Sequence, residues 1–163
     1  MFAKHILATG LAAALIASCA PAQTAPTVAV AKFEPIAKAC EGRDGWGDPA
    51  PPAHVYGNVY MVGTCGIVSL LITTPQGHFL IDGAIAEAAP GIVENIRKLG
   101  FDPKDVRYLL NTHEHFDHSG GLPGLKRMTG ARMIARSEAK DALESGTVHP
   151  SDPQKGLFDP VEG

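Results

Sequence analysis

The sequence predicts an α+β domain in which a sheet carries helices packed on one side. Three observations predict it. Short β-branched and aromatic runs come first, the apolar period then switches to that of a helix, and strand and helix patterns alternate afterwards.

From His54 onward, Val55, then Val59 to Val62, then Ile67 to Thr74, then Phe79 to Ile81 read as strands, and Pro75-Gln76-Gly77 supplies turn chemistry between two of them. These are expected to be antiparallel strands opening the sheet. After Asp82-Gly83, the residues Ile92, Val93, Ile96 and Leu99 share one helical face and Gly100 follows as a stop. Glu94 and Lys98 are ordered to support the exposed side of that helix. Val106 to Leu110 is a short apolar run ending in Asn111 and Thr112, as expected of a buried strand that opens onto a site. Leu122 to Thr129 reads as a helix closed by Gly130, Ala131 to Ala135 as a strand, and Ser137 to Leu143 as a helix capped by Ser137 and stopped by Gly146. The tail from His149 to Gly163 has three prolines and no periodicity, and is expected to be a loop.

Of the 163 residues, 45% are apolar and 19% charged, with a net charge of −3, which describes a globular chain without the basic footprint of a nucleic-acid binder. Residues 1–22 read as an export signal: Lys4 supplies the positive end and Ile6 to Ala17 a short apolar stretch. Two processing patterns stand side by side. Ala20-Pro21-Ala22 fits a small-x-small cleavage site, and Ile16-Ala17-Ser18-Cys19 fits a bacterial lipoprotein box in which Cys19 would carry lipid. Both place the protein outside the cytoplasm, periplasmic or secreted, with a membrane attachment only if Cys19 is lipidated. Residues 23–53, rich in Ala and Pro, read as an amino-terminal arm and not a packed element, which leaves 54–163 for the domain. Beyond the signal, Cys40 and Cys65 form an even pair in a compartment where disulfides persist; they are either bridged or two free thiols.

Three of the seven histidines fall between His113 and His118, together with Asp117. Neutral imidazole and carboxylate are ligands that zinc accepts. On a loop, His113 and His115 alternate to the same side and can converge on one metal, while Asp117 and His118 project from the following turn toward a second position. A capping role for Asp117 or Ser119 at a helix entry would leave the three histidines unexplained. Glu114, between the ligands, reads as a charged surface residue. Asp82, at the end of the strand Phe79-Leu80-Ile81, is either the carboxylate that orients a ligating histidine or a turn cap before Gly83. The remaining histidines, His5, His54, His78 and His149, read as solvated or locally bonded.

His113-Glu114-His115-Phe116-Asp117-His118 with Ser119-Gly120-Gly121 resembles the HxHxDH signature of the metallo-β-lactamase superfamily. Val62-Gly63-Thr64-Cys65-Gly66, Thr74-Pro75-Gln76-Gly77-His78, Ile81-Asp82-Gly83, Asn95 to Phe101 and Asn111-Thr112 resemble the third subclass of the class B (zinc) β-lactamases, over Trp46 to Gln154. The resemblance implies an αββα sandwich of two similar halves with zinc at the seam. His113 and His115 would hold a first zinc, Asp117 and His118 a second, and Asp117 would act catalytically by orienting the hydroxide. That family takes a further histidine for each metal from later in the chain. Nothing between Gly120 and Gly163 supplies those histidines, so the expectation is the first half of the sandwich, a truncated domain with four of six ligands and one apolar sheet face exposed.

The function so implied is zinc-dependent opening of the β-lactam amide ring by a zinc-bound hydroxide, with one or two zinc ions and a small-molecule partner. A superfamily hydrolase acting on a lactone or thioester, and a non-catalytic zinc-binding fragment, are the alternatives.

Overall fold

The computed structural model describes residues 34–154 and 158–161. The expected export signal, with His5 and Cys19 in it, lies outside the described residues. Among the described residues no helix is long and apolar enough to cross a membrane.

Six strands form one sheet in chain order: β1 (Ala53–Tyr56), β2 (Val59–Met61), β3 (Leu70–Ile72), β4 (His78–Ile81), β5 (Val106–Leu110) and β6 (Arg132–Ile134). The first four pair antiparallel, each with the next in the chain. Gly57, at φ +55°, takes the left-handed conformation that the two-residue turn between β1 and β2 requires. β4, β5 and β6 are parallel, because α2 (Ala89–Lys98) and α4 (Leu122–Thr129) make the crossovers between them.

Side-chain alternation decides which face is covered. Tyr60, Leu71, Leu80, Leu109 and Met133 are register partners across five strands. They join Ile92, Val93 and Ile96 of α2 and Leu122 and Leu125 of α4 in one core. Leu71, Leu80, Leu109, Leu122 and Leu125 are fully buried, each contributing on the order of 1.5–3 kcal/mol of transfer free energy. The opposite face carries Leu70, Ile72, Phe79, Ile81, Tyr108 and Leu110, all half-buried, with the Phe79 and Tyr108 rings stacked at 5.1 Å. An apolar sheet face is thus open on this side, as expected from a single layer of helices.

Several local expectations are corrected. The described part of the arm before β1 is mostly exposed but not free of structure: α1 (Glu34–Ala39) lies in it, Pro49 bridges Thr64, and Ala50 is buried. Asn95, buried on α2, holds it there by donating from Nδ2 to the carbonyls of Ala50 and Val62, both at 3.0 Å. The third strand is shorter than the run Ile67 to Thr74, because Thr64 N–H donates to Ile67 O and closes a tight turn over 64–67. Glu94 pairs with Arg97 at 3.7 Å, one residue short of Lys98. Ser137 does not cap: its hydroxyl bonds the adjacent Glu138 carboxylate, a 3-10 turn covers Ser137–Ala139, and α5 runs over Lys140–Ser145. The tail is not a free loop either, since Val161 is buried and its N–H donates to Leu143 O at 2.7 Å.

The segment after β4 lies directly on the segment before α4. Gly83 N–H donates to His118 O at 2.7 Å and Gly121 N–H to Ala84 O at 2.9 Å. A Cβ on Gly121 would strike the Gly83 carbonyl. Gly121→Ala is therefore expected to destabilise the fold by about 1–3 kcal/mol, as overpacking does. Urea denaturation measures this, and an unchanged midpoint would show that the two segments have room to part.

Candidate metal centre

Parallel neighbours bring their carboxyl ends to the same edge, and in open α/β sheets that edge is where sites are built. β4 ends at Ile81 and β5 at Leu110, register partners, and Asp82 N–H continues the pairing to Leu110 O at 2.9 Å. Asp82 therefore stands beside the loop Asn111 to His115, which enters α3 (Phe116–Ser119).

Asp82 sits in the left-handed region at φ 62°, a conformation that aspartate tolerates better than most residues. Its buried carboxylate is shared among three donors. Oδ1 accepts from Thr112 N–H at 2.7 Å, and Oδ2 accepts from Thr112 Oγ1 at 2.8 Å and from His118 Nδ1 at 2.9 Å. Of the two roles its sequence context suggested, the carboxylate takes the one that meets a histidine of the cluster, and its other bonds go to Thr112, thirty residues on, and not to a turn at Gly83. With Nδ1–H donated to Asp82, His118 keeps Nε2 as its free lone pair.

The same chain of donors reaches His113. Thr112 spends its hydroxyl proton on Asp82 and lies 3.0 Å from His113 Nδ1, so it accepts from that nitrogen and leaves His113 Nε2 free. Burial, then the neighbouring His118 and His115 rings, hold the His113 pKa below its ordinary value, which favours the neutral imidazole that ligates metals. The His113 ring lies 4.1 Å from His118 and 4.7 Å from His115, centroid to centroid.

His113, Asp117 and His118 each offer one ligand atom, and these atoms lie within 4.8 Å of one another. Asp117 Oδ2 is 3.4 Å from His118 Nε2, while its other oxygen, Oδ1, is buried with no hydrogen-bond partner among the described residues. A buried carboxylate oxygen left without a donor is costly unless a cation satisfies it. The donor set, two neutral imidazoles and a carboxylate, fits zinc, so the group could hold such an ion. His115 stands apart from this set: its Nε2 lies 2.7 Å from Asp152 Oδ2.

Two more features border the cluster. Glu114 is half-buried and lines, with Thr112, His113, Arg136 and Glu138, an open cavity of about 230 Å³. Trp46, brought over from the arm, remains 46% exposed and lies 6.4 Å from the Phe116 ring. The arm is held by the Cys40–Cys65 disulfide, with Cα atoms 5.3 Å apart. The other described histidines are locally bonded: His54 to Gly57 O, His78 to Thr74 N–H, His149 to Ser151. Thr112, Asp152 and Trp46 escaped the sequence reading. Asn111-Thr112 stood beside the motif as a signal for the first, whereas Asp152 and Trp46 meet the site only through tertiary folding.

A loop of imidazoles and carboxylate at the carboxyl ends of parallel strands, backed by a buried aspartate, forms a candidate metal centre on an α+β scaffold. The chain belongs to the metallo-beta-lactamase superfamily, whose family model matches residues 62–160. Its fold is similar to the metallo-beta-lactamase MIM-1 from Novosphingobium pentaromativorans, 54% identical with a TM-score of 0.74, over 77% of this chain and 48% of that one. It is also similar to MEM-A1, a subclass B3 metallo-beta-lactamase from a soil metagenome library, 46% identical with a TM-score of 0.67, over 72% of this chain and 45% of that one. Among curated relatives, the N-acyl homoserine lactonase AttM of Agrobacterium fabrum is 32% identical over 95 residues, 45% of this chain and 35% of the lactonase. The chain spans about half the length of these solved structures and about a third of that lactonase.

Proposed function

We propose that the protein carrying this chain is an exported zinc-dependent hydrolase that opens the amide ring of β-lactam antibiotics. One observation carries the choice of substrate. The stronger likeness, at 54% identity over 77% of the chain, is to a metallo-beta-lactamase. The lactonase likeness is 32% over 45%, and it supports lactone hydrolysis as the second reading. The export signal expected over 1–22 and a disulfide, which persists in oxidising compartments, support a periplasmic or secreted location.

Zinc, when bound, polarises a carbonyl and makes water acidic enough to deprotonate near neutral pH. The remaining work belongs to side chains. His113, His118 and Asp117 would hold the ion, with His115 as a further ligand. Asp82 keeps the His118 ring in one orientation. Asp117, with Oδ2 beside His118 and Oδ1 free, accepts a proton from the attacking water and aligns it. Trp46 and Phe116 offer an apolar wall for a small-molecule substrate beside the metal.

The purified full-length protein, zinc-replete, is expected to hydrolyse a penicillin or a carbapenem faster than an acyl homoserine lactone or a thioester, and to lose that activity to a chelator. Turnover of the lactone or thioester with none of the β-lactams would transfer the function to the second reading. Zinc binding without hydrolysis of any of them would leave a non-catalytic zinc-binding protein.

A further inference from the structure

His115 is the one imidazole of the motif whose nitrogens fall outside the 4.8 Å group, and its Nε2 is taken by a residue that lies 37 positions later. The Asp152 side chain is only 17% exposed, and it is presented by a turn bonded to itself. Asp152 N–H donates to His149 O at 2.8 Å, Ser151 N–H to His149 Nδ1 at 3.2 Å, and Gln154 N–H to Asp152 Oδ1 at 2.8 Å. One carboxylate oxygen is therefore committed to the turn, and the other, Oδ2, is aimed at His115. The same turn grips the next residue along, because Phe116 N–H donates to Gln154 Oε1 at 2.8 Å. That N–H is one of the orphan donors at the start of α3, the helix that carries Asp117 and His118.

We propose that Asp152 is a positioning residue of the metal centre: by accepting a proton-bearing Nε2 from His115 it orients that ring and leaves Nδ1 as its lone pair for zinc. Carboxylates and carbonyls that hold the far nitrogen of a ligating histidine fix its tautomer and ring orientation, and losing one weakens metal binding by about 10–100-fold. The turn at 149–154 thereby couples the segment after α5 to the ligand loop after β5. The inference rests on the zinc reading of the cluster given above.

The test uses the full-length protein, with ring ¹⁵N shifts of His115 recorded in the zinc-free state and zinc affinity measured by competition with a chelator. In the parent protein His115 is expected to carry its proton on Nε2 alone. Asp152→Ala is expected to lose that tautomer preference and to bind zinc about 10–100-fold more weakly. Asp152→Asn, which keeps an acceptor oxygen and the shape of the turn, is expected to retain more of the affinity, and it gives the same readouts if the alanine variant does not fold. A purely structural part for Asp152 would lower zinc-free stability and leave both readouts unmoved, which overturns the proposal. A parent protein that binds no zinc removes the metal reading itself, whereas zinc binding indifferent to Asp152 removes only this inference.

Discussion

Asp117→Asn in the full-length protein is expected to lower kcat/KM for β-lactam hydrolysis by about 10²–10⁴-fold, the range associated with loss of a positioned proton acceptor. The geometry supports an effect of that size. Asp117 is the one carboxylate in the group with His113 and His118, and its Oδ1 is buried without a partner among the described residues. An amide of the same shape keeps the packing but loses the negative charge toward a metal and the capacity to take a proton from water. Steady-state kinetics at saturating zinc, with metal content determined in parallel, separates loss of chemistry from loss of metal. Hydrolysis undiminished in a zinc-replete variant would remove Asp117 from the reaction.

Removing the disulfide is expected to give the largest effect on stability. Cys40 and Cys65 close a loop with a sequence separation of 25, for which the chain-entropy estimate is about 3–4 kcal/mol. The Cys40→Ser, Cys65→Ser double variant should accordingly unfold at a lower urea midpoint and melt on the order of 10 °C earlier. Its consequence reaches the site, because the bridged loop contains Trp46, whose ring lies 6.4 Å from Phe116. Substrate KM should rise with the loss of that wall while zinc affinity, held by the loop after β5, stays put. A variant as stable as the parent would show that Asn95 and the Pro49–Thr64 bridge suffice to hold the arm.

Much of the fold was legible from local pattern. Val106 to Leu110 and Leu122 to Thr129 have the expected bounds, because a short apolar run and a helix closed by Gly130 at φ 81° are signals carried within a few residues. Where the reading went astray, a distant partner had overridden local composition. The Ala- and Pro-rich arm looks unpackable until Asn95 and a disulfide pin it. Ser137 is a good cap by type, yet its hydroxyl turns to Glu138. The tail looks loose until Val161 is buried against α5.

The candidate site divides along the same line. His113, His115, Asp117 and His118 were readable as candidate ligands because imidazoles and a carboxylate clustered in one loop stand out by spacing, of which the structure gathers His113, Asp117 and His118 within 4.8 Å, and Asp82 because a carboxylate ending a strand has few fates. How these residues share the work was not readable. Parallel pairing of β4 with β5 sets Asp82 against Thr112 and His118, and a turn far along the chain sets Asp152 against His115. The sequence by itself determined the superfamily, the α+β class and the candidate ligands, since each depends on near neighbours in the chain. Only the tertiary structure decided which carboxylates meet His115 and His118, because hydrogen bonds between segments 30 or more residues apart depend on how the sheet and its crossovers pack.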